Sequence, residues 1–169
     1  LDVPVGGYDI DEQNSFDIEL TDAEGHVIAQ QKGISLTYQG EENIRLTVQN
    51  PKLWTPETPY LYHAHIKLYS LGQLVDEISQ KIGIRTVLYS REGGFQLNGV
   101  TRKLKGVCLH HDLGPLGAAI NKAALIRQIK TMKAMGCDAI RTSHNMPSRM
   151  QMDICDSLGM MVMAESFDM

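Results

Sequence analysis

Residues 136–164 decide the fold, and they read GCDAIRTSHNMPSRMQMDICDSLGMMVMA. The stretch 138–141 has the length of a short strand and runs into polar residues. A helical pattern of apolar side chains follows, with Pro147 in its first turn and Gly159 at its end. A second apolar strand, at 160–164, comes next. Two short strands joined through one helix indicate parallel pairing by a right-handed crossover.

The same pattern continues towards the amino terminus. Residues 103–108 have the composition of a strand, and a helix with Asn121 near its start follows. Gly136 is the expected C-cap of that helix. Its apolar face is predicted from side chains at helical spacing, which are Leu125, Ile126, Ile129, Met132 and Met135. Residues 103–164 are thus predicted to form β-α-β-α-β, the beginning of a parallel β/α fold that the chain does not close.

The first half of the chain has a different period. Apolar and polar residues alternate at 16–20, 44–48 and 60–69, with turn signals between these runs. Short alternating strands of this kind indicate an antiparallel β-sandwich. We therefore predict an α+β fragment of two domains, with the sandwich at 1–88 and the β/α part at 89–169.

Trp54 is the single tryptophan, and it stands in a proline-rich turn before the 60–69 strand. We predict that it closes the end of the sandwich, and stacking on a sugar stays open as the alternative. Asn98-Gly99 is the strongest short signal for a tight hairpin. The cysteines are predicted to pack in the core, because they are odd in number and lack Cys-x-x-Cys spacing. They are Cys108, Cys137 and Cys155.

Composition sets broad limits on function. With 43% hydrophobic and 21% charged residues, the chain has an ordinary globular mixture. Its formal net charge of −4 gives no indication of a nucleic-acid partner. No apolar run approaches the roughly 20 residues that span a membrane. No signal-peptide pattern opens the chain, so cytoplasmic and periplasmic or secreted locations both stay open.

Polar side chains follow each of the three predicted strands of the second half. They are His110, His111 and Asp112 after the first, Arg141, Ser143, His144 and Asn145 after the second, and Glu165, Ser166 and Asp168 after the third. Because the carboxyl ends of parallel strands meet at one edge of a sheet, these groups should converge. Helix capping explains one such cluster, but three in register predict a ligand site.

Three chemistries compete for this edge. A dinucleotide site is disfavoured because 114–117 lacks the glycine spacing of a pyrophosphate loop. A metal hydrolase would use His110, His111 and His144 with Asp168, although adjacent histidines rarely reach one ion. A carbohydrate hydrolase needs groups that bind hydroxyls and two positioned carboxylates. The hydroxyl-binding groups are present, and spacing alone leaves the carboxylate pair undecided.

Several stretches resemble glycoside hydrolase family 2, which includes β-galactosidases, β-glucuronidases and β-mannosidases. They are LKGVCLHHDLG at 104–114, AIRTSHN at 139–145 and DICDSLGMMVMAE at 153–165. LWTPETPYLY at 53–62 and GIRTV at 83–87 are similar to the immunoglobulin-like sandwich of that family and its junction to the barrel. The resemblance implies an immunoglobulin-like β-sandwich followed by the first three βα units of an incomplete (β/α)8 barrel.

This resemblance implies retaining hydrolysis of terminal β-glycosidic bonds, β-galactosidase-like, by the full-length enzyme. The acid/base and nucleophilic glutamates of the family follow the fourth and seventh barrel strands, so the fragment is predicted to contain no catalytic residue and to be inactive. The predicted substrate-binding residues are His110, His111, His144, Asn145 and Asp168, and Arg141, Glu165 and Asp112 are predicted to support them. Leu109, Met146 and Ala164 depart from the pattern and leave the sugar undecided.

The predicted partner is a β-linked carbohydrate, with neither nucleic acid nor membrane, and a homo-oligomer stays open. No cofactor is predicted, although a divalent cation in the full-length enzyme is compatible with the resemblance. Two alternatives remain open. One is a non-catalytic sandwich that serves as a binding or interface module, and the other is the metal-dependent hydrolase that uses His110, His111 and His144.

Overall fold

A computed structural model describes residues 2–4, 14–36 and 41–166. The chain divides into two compact units, Leu1–Pro51 with Tyr62–Ile82 and Lys52–Leu61 with Gly83–Met169. The segment Lys52–Leu61 therefore belongs to the second unit, and the boundary between residues 88 and 89 stays a prediction. Within the described ranges, no helix is long and apolar enough to cross a membrane.

The first unit consists of antiparallel sheets. Its strands are β1 (Asp2–Pro4), β2 (Asn14–Thr21), β3 (Val27–Ser35), β4 (Glu41–Asn43), β5 (Tyr62–Ser70) and β6 (Gln73–Ile82). Four of them form one sheet in the order β3-β2-β5-β6, and β1 pairs with β4. Every pairing among the described strands of this unit is antiparallel, as the alternating pattern predicts.

The core of the first unit comes from one face of its four-stranded sheet. Phe16 and Ile18 of β2 are buried, and they lie opposite Leu68 and Ile66 of β5. The alternation at 44–48 is misleading, because these residues form no strand. Ile44 nevertheless packs into the cluster around Phe16, so the alternation reports burial without sheet pairing.

The second unit begins with a small antiparallel sheet of β7 (Val87–Ser90), β8 (Gly94–Leu97) and β9 (Val100–Thr101). Asn98 and Gly99 join the last two strands with φ angles of 52° and 78°. Two successive positive φ values are typical of the tight hairpin turn that matches the twist of the flanking strands. The hairpin predicted from Asn98-Gly99 is confirmed.

A three-stranded parallel sheet and the helices between its strands form the rest of the second unit. In chain order the elements are β10 (Gly106–Leu109), a 3-10 helix (Gly114–Leu116), α1 (Lys122–Ala134), β11 (Ala139–Thr142), α2 (Arg149–Leu158) and β12 (Met161–Ala164). The strand order is β10-β11-β12, and both pairings are parallel. The predicted β-α-β-α-β order is therefore confirmed, although β10 begins three residues later than expected.

The ends of both helices follow from local sequence. Asn121 caps α1 with its side chain, and Ser148 does the same for α2. Pro147 thus lies before the cap of α2 and not inside its first turn as predicted. Gly159 ends α2 in the left-handed conformation. Met135 is 70% exposed because α1 has already ended, so its place on the apolar face was wrongly predicted.

The helices cover one face of the parallel sheet. The buried residues of this layer are Leu125, Ile129, Ile140, Ile154, Cys155 and Met160. The other sheet face carries Cys108, Arg141 and Met163 in register, and all three are exposed. Because strand side chains alternate between faces, Cys108 points away from the helices. The prediction of core packing is therefore right for Cys155 and wrong for Cys108.

Trp54 lies in the second unit and not at the end of the sandwich as predicted. It is 1% exposed and packs with Leu97, Ala139 and Met161. Its indole Nε1 donates a hydrogen bond to the backbone oxygen of Asp156 over 2.8 Å. Burial of this extent leaves no ring face for a sugar, so the stacking alternative is also wrong.

Candidate functional site

The candidate site lies where the three parallel strands end. Leu109, Thr142 and Ala164 stand side by side at the carboxyl ends of β10, β11 and β12. The residues that follow them therefore begin from adjacent positions at one edge. This register brings His144 and Glu165 within contact distance, although they are 21 residues apart in sequence.

Glu165 is the centre of the site. One carboxylate oxygen, Oε2, lies 2.9 Å from Nδ1 of His144, and the other, Oε1, accepts from Nε of Arg141. The backbone N–H of Glu165 donates to Oγ1 of Thr142 over 3.1 Å. The Glu165 side chain is 20% exposed, whereas those of Arg141 and His144 are 45% and 42% exposed. A shielded carboxylate thus holds two more open side chains.

Electrostatics keeps the pair of Glu165 and Arg141 ionised. Desolvation by burial raises the pKa of the Glu165 carboxyl, but hydrogen bonds from His144 and Arg141, together with their charges, outweigh it and leave the pKa below its usual value. The hydrogen bond and charge of Glu165 raise the pKa of Arg141 in turn. At neutral pH the pair is therefore a carboxylate and a guanidinium.

His144 presents its second ring nitrogen away from this network. Because Nδ1 faces the carboxylate of Glu165, it carries a proton there, and Nε2 lies across the ring from it. Nε2 accepts a hydrogen bond when the ring is neutral and donates one when the ring is protonated. The His110 ring contacts His144 edge to face, with the ring centroids 5.5 Å apart. Such a histidine suits recognition of a hydroxyl group.

The other predicted site residues do not all join the network around Glu165. Asn145 is exposed and directly follows His144. His111 is exposed and has a positive φ of 57°. Asp112 accepts from the backbone N–H of Gly114 over 2.7 Å, which makes it a turn residue. Asp168 lies outside the described residues. The structure therefore brings together Arg141, His144, Glu165 and His110, but it does not bring Asp112 into their network.

Sequence reasoning did not single out Thr142 and overlooked the local role of Ser143. Thr142 is buried and accepts the backbone hydrogen bond of Glu165. Ser143 is 4% exposed, its N–H donates to the carbonyl oxygen of Leu109, and a cis peptide bond joins it to His144. Two hydroxyl residues between an apolar strand and a histidine are the signal that was available, because small polar side chains satisfy nearby backbone groups.

The metal-hydrolase alternative lacks the donor cluster that it requires. Within the part of the chain that the structure describes, no three His, Cys, Asp or Glu side chains come close enough to share an ion. His110 and His144 do approach each other, but the carboxylate that contacts His144 is Glu165, whose oxygens already accept from Arg141 and His144. The geometry thus gives this alternative no support.

Comparison with known families connects this geometry to a class of proteins. Residues 2–85 match the family model for glycosyl hydrolases family 2. Residues 89–167 match the model for the TIM barrel domain of glycosyl hydrolases family 2. The chain belongs to glycosyl hydrolases family 2. Family 2 membership confirms the resemblance in the sequence and the fold class, which is a sandwich domain followed by the start of a TIM barrel.

Relatives in family 2 include two kinds of enzyme. The β-galactosidase BoGH2A of Bacteroides ovatus is 43% identical over 153 residues, which cover 89% of this chain and 18% of that protein. A β-glucuronidase of Bacteroides fragilis is 30% identical over 149 residues, which cover 86% of this chain and 21% of that protein. The chain thus spans about a fifth of the length of these family 2 relatives.

Solved structures of family 2 members are also similar to this chain. A family 2 member from Bacteroides cellulosilyticus superposes with a TM-score of 0.84 at 39% identity, covering 92% of this chain and 20% of the other. A β-D-glucuronidase from Dictyoglomus thermophilum gives a TM-score of 0.79 at 32% identity, with 92% and 25% covered. The chain is therefore similar in structure to solved members of family 2, one of which is named as a β-D-glucuronidase.

Proposed function

We propose that this chain is part of an enzyme that hydrolyses terminal β-glycosidic bonds with retention, in the manner of a β-galactosidase. The observation that carries the proposal is the network of His144, Glu165 and Arg141 at the carboxyl edge of the parallel strands. This is the edge at which barrel enzymes bind their substrates. Relatives named as β-galactosidases and β-glucuronidases support the same class of reaction.

In this proposal, the chain supplies one wall of the sugar pocket. His144 binds a sugar hydroxyl through Nε2, and Glu165 fixes the orientation of its ring through Nδ1. His110 packs against the same ring, and Asn145 adds an amide at the exposed rim. His111 and Asp168 belong to the same wall on the basis of the sequence resemblance.

The charges at this edge favour a neutral sugar over a uronic acid. A uronate carboxylate is best recognised by a cation that has no other anionic partner. Among the described residues at the ends of the three parallel strands and in the loops that lead from them to the next helix, Arg141 is the one permanently charged cation, and Glu165 already neutralises it. A galactoside therefore suits the described wall better than a glucuronide does.

The bond-breaking carboxylates are not among the described residues of this edge. A retaining glycosidase needs two carboxyl groups about 5–5.5 Å apart, one of them protonated as the acid. Glu165 is held as an anion with both oxygens occupied, and Asp112 accepts in a backbone turn. The family resemblance places both catalytic glutamates on later barrel strands. We therefore expect no turnover from these 169 residues alone.

The test uses the full-length protein and chromogenic β-galactoside and β-glucuronide substrates. His144→Ala should lower kcat/KM by about 10²-fold or more, because it removes a hydrogen bond made in the transition state. Met146→Ala is the matched control, since it changes a 62% exposed side chain in the same loop. The galactoside should be cleaved faster than the glucuronide. Preferential glucuronide cleavage would overturn the charge argument.

The same assay separates the alternatives. A non-catalytic sandwich module predicts that the full-length protein shows no glycosidase activity with either substrate. A metal-dependent hydrolase predicts activity that chelators abolish and that returns with added zinc. Clear turnover by the 169-residue chain itself, abolished by Asp112→Asn, would place the catalytic carboxylates in this chain and contradict the proposal.

A further inference from the structure

Thr142 is the last residue of β11, and its side chain is only 5% exposed. Ile140 and Thr142 lie on the sheet face that the helices cover, whereas Arg141 projects from the opposite face and is exposed. A side chain buried to this extent is not placed to bind a sugar. Any influence of Thr142 on the candidate site therefore acts through a neighbouring residue.

The neighbour that Thr142 contacts is Glu165. The backbone N–H of Glu165 donates to Oγ1 of Thr142 over 3.1 Å. Thr142 pairs in register with Ala164, the last residue of β12, so this hydrogen bond lies one residue beyond the paired positions. The hydroxyl thus holds the main chain of Glu165 at the point where the pairing of β11 with β12 has ended.

The side chain of Glu165 carries this constraint to the site. Its Oε2 lies 2.9 Å from Nδ1 of His144, and its Oε1 accepts from Nε of Arg141. Hydrogen bonds weaken steeply as their distance and angle depart from the favoured values, so a displaced Glu165 main chain would disturb both contacts. A series of contacts therefore runs from the Thr142 hydroxyl through Glu165 to the His144 ring.

The loop that carries His144 is anchored by a separate hydrogen bond. The N–H of Ser143 donates to the carbonyl oxygen of Leu109 over 2.9 Å, which links the end of β11 to β10. The Thr142 hydroxyl links the end of β11 to Glu165, directly after β12. The first link joins two backbone groups, whereas the second depends on a side chain. Substitution of Thr142 can therefore remove the second link and leave the first in place.

We propose that Thr142 is a positioning residue of the glycosidase site, whose hydroxyl fixes Glu165 so that Glu165 orients the His144 ring towards the sugar. This inference rests on the proposed function, in which His144 binds a sugar hydroxyl through Nε2. Orientation matters because a hydrogen bond to the transition state contributes fully only when its geometry is set in advance. Thr142 itself contacts neither the sugar nor the bond that breaks.

Thr142→Val tests the proposal, because valine has nearly the shape of threonine and lacks the hydroxyl. In the full-length enzyme it should lower kcat/KM for a chromogenic β-galactoside by about tenfold, mostly through kcat. Thr142→Ser keeps the hydroxyl and should retain most of the activity. Thr21→Val is the matched control and should leave the kinetics unchanged. Thr21 is also buried, at 6% exposed, but it lies in the first unit, which supplies no residue of the candidate site.

A double-mutant cycle separates positioning from a general loss of stability. In the His144→Ala enzyme, the side chain that Thr142 positions is gone, so adding Thr142→Val should lower kcat/KM further by less than about twofold. A residue that only stabilises the fold would cost the same factor, about tenfold, in both backgrounds. Thr142→Ala also lacks the hydroxyl, and it takes the place of Thr142→Val if the valine variant does not fold.

Crystal structures of the full-length variants give a readout that does not depend on activity. The distance from Glu165 Oε2 to His144 Nδ1 should exceed about 3.5 Å in Thr142→Val and stay near 2.9 Å in Thr142→Ser. An unchanged distance in Thr142→Val, near-normal kcat/KM in that variant, equal losses for Thr142→Val and Thr142→Ser, or an additive cycle would each overturn the proposal. If the unmodified enzyme cleaves neither a β-galactoside nor a β-glucuronide, the proposed function fails, and this distance still decides whether Thr142 positions Glu165.

Discussion

Replacement of Trp54 tests the packing of the second unit most severely. The indole is 1% exposed and donates from Nε1 to the backbone oxygen of Asp156 over 2.8 Å. The Arg85 guanidinium lies 4.9 Å from the ring centroid, within range of a cation–π interaction. Gly83 also lies against the ring, because a Cβ there would be 3.0 Å from Trp54 atoms. Substitution therefore removes packing, a hydrogen bond and a cation contact together.

Two substitutions separate these contributions. Trp54→Ala empties the site, and buried tryptophan-to-alanine changes cost about 3–5 kcal/mol. Trp54→Phe keeps most of the apolar surface but leaves the Asp156 carbonyl without its donor, which costs about 1–2 kcal/mol. Met135→Ala changes a 70% exposed side chain of the same unit and should stay within about 0.5 kcal/mol.

Urea unfolding of the 169-residue chain, followed by far-UV circular dichroism, measures these differences. With a denaturant slope of about 2 kcal/mol per molar urea, Trp54→Ala should lower the midpoint of the second unit by about 2 M, and Trp54→Phe by less than 1 M. Trp54 is the only tryptophan, so its fluorescence in the unmodified chain identifies the transition that belongs to this unit.

The outcome that would refute the reasoning is specific. If Trp54→Ala shifts the midpoint no more than Met135→Ala does, Trp54 is not an anchor of the second unit. Equal shifts for Trp54→Phe and Trp54→Ala would instead show that the hydrogen bond, and not the apolar surface, carries the stabilisation.

Three further changes have definite expected outcomes. Because the folded state lowers the pKa of Glu165, its contribution to stability is present at neutral pH and is lost as pH falls through that lowered pKa. Acid titration by circular dichroism should therefore show a smaller loss of stability for Glu165→Gln than for the unmodified chain. Gly159→Ala should cost at least about 1 kcal/mol more than Gly72→Ala in urea unfolding, because both glycines have left-handed φ angles of 74° and 75° but only at Gly159 would a Cβ meet a neighbouring backbone carbonyl. Equal costs for the two substitutions would mean that the Pro56 carbonyl moves aside without a measurable loss of stability. Burial raises the pKa of the Cys155 thiol to about 12, so iodoacetamide should alkylate exposed Cys108 and leave Cys155 unmodified until urea unfolds the chain, as mass spectrometry can show.

Local patterns in the sequence predicted the elements that depend on local physics. The Asn98-Gly99 hairpin, the helix start near Asn121 and the helix end at Gly159 each depend on the conformational preferences of one or two residues. One error arose because a buried residue need not belong to a paired strand. Residues 44–48 alternate and yet form no strand, because alternation records which side chains are buried and not which backbone groups are paired.

The position of the candidate site was predictable from the sequence, but the hydrogen-bond partners within it were not. Apolar strands that end in polar residues marked the edge where His144 and Glu165 lie. Which carboxylate would hold the histidine could not be read from the sequence. Asp112 is adjacent in sequence to His110 and His111, but its carboxylate accepts a hydrogen bond within its own turn, whereas Glu165 reaches His144 from the end of the neighbouring strand.

The sequence by itself determined the family, the order of the elements and the polar edge, because each is encoded in periods and motifs of a few dozen residues or fewer. Tertiary structure alone decided that Glu165 joins Arg141 to His144, that Trp54 packs in the second unit, and that Ser143 is buried. These outcomes depend on strand register and on the alternation of side chains between the two sheet faces. Both are set when segments distant in the chain pack together, so no local pattern records them.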